Sequence, residues 1–180
     1  MAVLIEAISV VIRTDVLTEK IPGGLDGFKR LVRNNTLCAD NEIVRVGFMV
    51  PRDAEAFVNS LETMGLKFLR NGEAIDIAVV DQVRGPTLKC EWLEFCRTKI
   101  GDTEAEVSTC RLVGSKSKEV VTPPGWIFER SLSSTFGLVP TEHVQKKLKF
   151  LRHENGLDIY INSITGKEVY IGRTSDTREA

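Results

Sequence analysis

The sequence lacks the devices on which most readable activities rest. No run reaches the roughly 18 consecutive apolar residues of a membrane-spanning helix, because Glu6, Arg45 and Asp76 interrupt the longest ones. There is no Gly-x-Gly-x-x-Gly, and Gly23-Gly24 is not followed by Lys-Ser/Thr, so nucleotide hydrolysis has no phosphate-cradling loop to rest on. Histidine is scarce, with only His143 and His153, and the four cysteines (Cys38, Cys90, Cys96, Cys110) include no Cys-x-x-Cys pair. A metal site would have to be built mostly from carboxylates, so neither metal nor cofactor is expected. Charge of one sign is missing too: 24 Lys and Arg against 25 Asp and Glu leave a formal net charge of -1. Such a balance gives no overall field to draw the chain onto nucleic acid or an anionic membrane.

The opening MAVLIEAISVVIR has no basic stretch before its apolar run and carries Glu6 inside it, which reads as a strand rather than a secretion signal. The expectation is a cytoplasmic protein with reduced thiols, among which Cys96 and Cys110 pack as small hydrophobes. Cys38 sits in the polar segment Asn34–Asp40, which would leave it exposed, but no base is identifiable beside it. It is not read as a nucleophile.

What is present suits one soluble globular domain over residues 1–172, with a frayed polar tail at 173–180. At 180 residues and 42% apolar composition, a chain can bury about 70% of its unfolded surface without disulfides or metal. Residues 3–12 are apolar on both faces and predict a covered central strand. Leu25, Phe28, Leu31 and Val32 predict a helix over 25–34, after the turn at Pro22-Gly23-Gly24. A strand at 43–50 leads through Pro51 into a helix over 52–64, whose apolar face is Ala54, Phe57, Val58, Leu61 and Met64 and whose C-cap is Gly65. After the turn at Asn71-Gly72 comes a strand at 75–80.

From Leu88 onward the punctuation predicts an antiparallel meander of strands at 91–98, 106–113, 119–122 and 126–131. A third helix is predicted over 141–151, then a hairpin of 157–162 with 168–172. Helices alternating with groups of antiparallel strands indicate an α+β fold, a mixed or mostly antiparallel sheet partly covered by about three helices.

The densest chemistry lies in Val79–Pro86 and Cys90–Cys96. A strand at 91–98 would place Trp92, Glu94 and Cys96 on one face, where lost hydration would raise the Glu94 pKa toward the general acid–base range; alternatively Glu94 faces water on an edge strand. Asp81 and Arg84 stand at the end of an apolar strand, either at a pocket mouth or as a local pair that pins the Gly85-Pro86 turn. Trp92, Trp126 and Phe128 would line an apolar cavity, or else belong to the core. Lys146, Lys147, Lys149 and Arg152, without aromatic interleaving, read as a solvated helix face rather than a nucleic-acid surface.

The opening MAVLIEAISVVIR and the block VVDQVRGPTLKCEWLEF resemble small bacterial proteins, including products of mobile integron cassettes. The resemblance spans about a third of the chain and carries no functional residue. It implies a compact, bacterial, cytoplasmic and often oligomeric protein. Two readings follow. One is a non-enzymatic binding or interaction protein that self-associates, as a homodimer, through exposed sheet edges. The other is a small-molecule binding protein or small enzyme whose pocket is formed by Trp92, Trp126 and Phe128 with Glu94 or Asp81 as acidic anchor.

Overall fold

A computed structural model describes residues 1–136, 148–154, 157–163 and 166–172. The apolar N-terminal run does not form one strand. It breaks at Glu6-Ala7, where Ala7 takes a positive φ of 49°, into β1 (Ala2–Ile5) and β2 (Ile8–Arg13). Each half joins a different sheet. A strand apolar on both faces needs cover on both, and the crossover supplies it by making this run the corner of a sandwich.

Downstream of the break, β2 is central in a five-stranded sheet ordered β3-β4-β2-β7-β8. Its neighbours are β4 (Ile43–Phe48) and β7 (Ile77–Asp81), both antiparallel to it, with Val10 opposite Val46 and Val79. The edges β3 (Cys38–Ala39) and β8 (Gly85–Pro86) are only two residues long. Upstream of the break, β1 lies between β10 (Glu106–Leu112) and β11 (Val120–Val121) in a four-stranded sheet closed by β9 (Leu93–Lys99). A small hairpin, β5 (Leu69–Arg70) and β6 (Glu73–Ala74), turns at Asn71-Gly72 as expected.

Two cores follow from strand parity. Ile8, Val10 and Ile12 face one side of the five-stranded sheet, where they meet Val44, Val46, Phe48 and Ile77 beneath three helices. These helices are α1 (Thr14–Lys20), α2 (Gly24–Leu31) and α3 (Pro51–Thr63), anchored by Leu17, Phe28 and the Ala54-Phe57-Val58-Leu61 stripe. Val3, Ile5 and Val11 face the opposite way and fill the space between the sheets with Ile43, Ala78, Val80, Leu93, Cys38 and Cys110. The layers run helices, sheet, sheet, and the fold is α+β.

The strand-Pro-helix-Gly unit forms as the sequence requires. Pro51 opens α3, and Gly65 at φ 96° closes it with Leu66 N–H donating to Leu61 C=O at 3.2 Å and Gly65 N–H to Glu62 C=O at 3.0 Å. From Val120 onward the structure departs from the expected meander. β11 pairs parallel with β1, and the segment expected as a strand at 126–131 is a turn followed by a 3-10 helix at Phe128–Arg130 and α4 (Leu132–Phe136). Leu148–Leu151, expected to end a helix, begins β12 (Leu148–Glu154), which pairs with β13 (Leu157–Asn162) and through it β14 (Glu168–Gly172). The remainder of that expected helix, with His143, and the tail at 173–180 lie outside the described residues. Among the described residues no helix is long and apolar enough to cross a membrane.

Candidate functional site

A cavity of about 400 Å³ opens between α3 and the β2–β7 side of the five-stranded sheet. Helical spacing produces its upper wall: Pro51, Ala54, Glu55, Val58 and Asn59 lie at intervals of three and four on one stripe of α3. Phe57 and Leu61, one position round, join Ala54 and Val58 in the core beneath the helix but do not line the cavity. The floor is Ile8 and Val79, with Phe68 at one side and Thr87 at the rim. The surface is mainly apolar with a few polar groups, and the volume falls within the range of ligand pockets.

Asp81 supplies a carboxylate to this cleft at the end where it pairs with Ile8 across the sheet. Its Oδ1 accepts from the backbone N–H groups of Val83 at 2.8 Å and Arg84 at 3.0 Å, which folds the chain back into β8. Asp81 is buried and Arg84 exposed. Asp81 thus organises the turn through backbone N–H groups and also lines the cavity. Glu55 adds a second carboxylate from an exposed position on α3 and forms no ion pair among the described residues.

The other expected site residues lie elsewhere. Glu94 is on the outer side of β9, its side chain 43% exposed, and accepts from Arg111 Nε at 2.8 Å on the adjacent strand. The Arg111 hydrogen bond holds its carboxyl below the usual range, the reverse of the shift expected for a desolvated acid. Trp92 precedes β9, donates Nε1 to Ala74 C=O at 3.2 Å and packs against the inter-sheet core. Trp126 and Phe128 meet edge to face, ring centres 6.2 Å apart, but Trp126 Nε1 donates to Glu6 Oε2 at 3.2 Å. The three aromatics therefore do not form one wall. Cys38, expected to be exposed, is buried between the sheets, and burial pushes its thiol up to about 11. All four cysteines are free thiols.

Compared with known proteins, the chain matches no protein-family model, and no curated protein or solved structure is significantly similar to it. Assignment therefore rests on the residues themselves.

A second polar cluster sits at the strand crossover. Arg45 is fully buried on β4 and donates Nε to Ser9 Oγ at 2.8 Å, Nη1 to Thr36 C=O at 3.0 Å and Nη2 to Glu6 C=O at 2.9 Å. Burial lowers its pKa, while the nearby Cys38 and Glu6 act in the other direction; a guanidinium nevertheless stays charged. The Glu6 carboxylate accepts from Ser133 N–H at 2.9 Å and Ser133 Oγ at 2.6 Å, which caps α4 from a distant strand. A hollow of about 30 Å³ beside Arg45 and Glu6 is large enough for a single water. This cluster is a structural joint: each of these contacts ties the crossover to a neighbouring segment. Among the described residues no group of three His, Cys, Asp or Glu side chains is placed to hold a metal ion.

Sequence reasoning found Asp81 and missed the rest of the cleft. The α3 stripe was legible, but that its core residues Ala54 and Val58 also border a cleft depends on where Phe68 and Val79 stand. No local pattern encodes that placement.

Proposed function

We propose that this chain is a non-enzymatic binding protein for a small molecule, and that its ligand site is the cleft between α3 and the β2–β7 surface. The observation that carries the reading is the cavity of about 400 Å³, mainly apolar and with the buried Asp81 at one end. With it we keep the bacterial, cytoplasmic setting that the sequence resemblance implies.

A neutral apolar fluorophore, Nile red, tests the site. It should bind saturably to the wild type and at least about tenfold more weakly to Asn59→Trp, which places an indole over the cleft from an exposed helix position. Glu62→Trp, exposed on the same helix but outside the lining, should bind as the wild type does. Equal binding by all three proteins would refute the assignment.

Self-association is a second reading, favoured by β9. This seven-residue strand pairs only with β10 among the described residues, and it is longer than the other edges of the two main sheets. Light scattering should then give about twice the 20.0 kDa of one chain; a mass of one chain at micromolar concentration would end this reading.

A further inference from the structure

We infer that the occupant of the cleft is a medium-chain amphiphile, a single unbranched hydrocarbon chain with a small polar head. This ligand class rests on the reading of the cleft as a ligand site and follows from the shape of the lining; no charge enters it. Pro51, Glu55 and Asn59 are exposed and recur at i, i+4 and i+8, so they form a nearly straight lip along α3, and the buried Ala54 and Val58 line the wall beneath it. The opening is therefore a slit that runs with the helix.

Strand pairing gives the floor the same direction. Phe48 pairs with Ile8 and Ile8 with Asp81, so the chain that leaves β4 enters α3 at Pro51 on the Asp81 side of the sheet. Phe68 lies past the opposite end of β7, where its C=O accepts from Ile75 N–H at 3.0 Å. The lining thus runs from Asp81 through Val79 toward Phe68 as well as from Pro51 to Asn59. Hydrocarbon from Ile8, Val58, Phe68 and Val79 follows it along this course.

A helix rises about 1.5 Å per residue, which makes the lip from Pro51 to Asn59 about 12 Å long. Spread over that length, a volume of about 400 Å³ is about 6.5 Å across, so the slit is about twice as long as it is wide. Two chains side by side, with carbons about 4 Å apart, need about 8 Å and do not fit. A compact cage as wide as the slit would leave half of the apolar wall uncovered. One extended chain covers it all: with C–C bonds of about 1.5 Å it advances about 1.25 Å per carbon, and about nine or ten carbons reach from end to end.

Calorimetry with 1-hexanol, 1-octanol, 1-decanol and 1-dodecanol, and with 1-adamantanol as a compact ten-carbon control, tests this. Affinity should rise about fourfold per added methylene up to about ten carbons and level off at 1-dodecanol, and 1-decanol should bind at least about tenfold more tightly than 1-adamantanol. Asn59→Trp, which obstructs one end of the slit, should cut the advantage of 1-decanol over 1-hexanol at least about tenfold, a change that uniform weakening of the site would not produce. Glu62→Trp, outside the lining, should keep that advantage.

If 1-adamantanol binds as tightly as 1-decanol, if affinity stops rising at 1-hexanol, or if no alcohol binds, while Asn59→Trp still weakens Nile red, the chain inference is overturned and the cleft remains the site. A rise that continues undiminished through 1-dodecanol and ignores Asn59→Trp marks unspecific apolar adsorption and overturns the inference as well. If no alcohol binds and Asn59→Trp does not alter Nile red binding, the reading of the cleft itself falls.

Discussion

Gly47→Ala tests the crossover that positions the β2 floor of the cleft. Gly47 follows Arg45 by two residues on β4, so the two positions share a face and the guanidinium folds back over the glycine. A Cβ at Gly47 would stand 2.8 Å from Arg45 Cζ and nearer still to Nη2. Ordinary carbon contacts begin at about 3.5 Å, so the guanidinium would have to retreat by about 1 Å. Retreat sacrifices the Nη2 bond to Glu6 C=O and strains the Nη1 bond to Thr36 C=O of a fully buried guanidinium. A hydrogen bond from a charged group is worth about 1.5–3 kcal/mol, against a gain of about 0.5–1 kcal/mol from replacing a strand glycine. The loss wins, and Gly47→Ala should cost about 2–4 kcal/mol in a urea melt.

The argument assigns nearly all of that cost to Arg45. In an Arg45→Met background, where no guanidinium is present, Gly47→Ala should be neutral or stabilising by up to about 1 kcal/mol. The double-mutant cycle isolates this coupling whatever Arg45→Met itself costs. Equal costs in both backgrounds, or a cost below about 0.5 kcal/mol in the wild type, would refute the reasoning.

Three further outcomes are expected. Phe57→Ala should cost about 3–5 kcal/mol, because its ring packs 5.2 Å from that of Phe48 and 6.3 Å from that of Phe28; a loss under about 1 kcal/mol in a urea melt would mean α3 is not docked through this face. The Cys38 thiol, raised to about 11 by burial, keeps its proton where an unfolded thiol at about 8.5 would lose it, so stability should fall as pH rises through that window. Cys38→Ala should flatten this alkaline decline, and an unchanged slope would contradict the assignment. Glu94→Gln should leave Nile red binding unchanged and remove only the surface pair with Arg111. Because the Glu94 carboxyl is held low, any stability it adds is present above its unfolded value near 4.3 and lost as pH falls through its folded value, so wild type and variant should converge in acid melts.

The parts of the fold legible in the sequence are those set by local chemistry. Pro51 and Gly65 bracket α3, Asn71-Gly72 makes a turn, and alternation marks β9 and β10. The misreadings came from long-range choices. Residues 3–12 show continuous strand chemistry, yet the break at Ala7 is held by Gln82, whose side chain accepts from Ala7 N–H at 2.8 Å from 75 positions away. Leu148–Leu151 suits a helix face as readily as a strand, and pairing with β13 decides for strand. For Glu94 the sequence leaves two orientations open, beside Trp92 and Cys96 in a pocket or toward water on an edge strand, because period two says which residues share a face but not which face meets water; the structure has it half-exposed on edge strand β9. Its partner Arg111 lies on the next strand, and the pairing register that brings them together is a tertiary fact.

Methyl-resolved NMR of the full chain titrated with Nile red locates binding most directly. The methyl signals of Ile8, Val58 and Val79 should shift together along one saturable curve, while those of Val3, Ile5 and Val11, turned into the inter-sheet core, stay in place. Shifts centred instead on the surroundings of Trp92 or of Trp126, or no shifts at saturating dye, would contradict the assignment of the cleft as the ligand site.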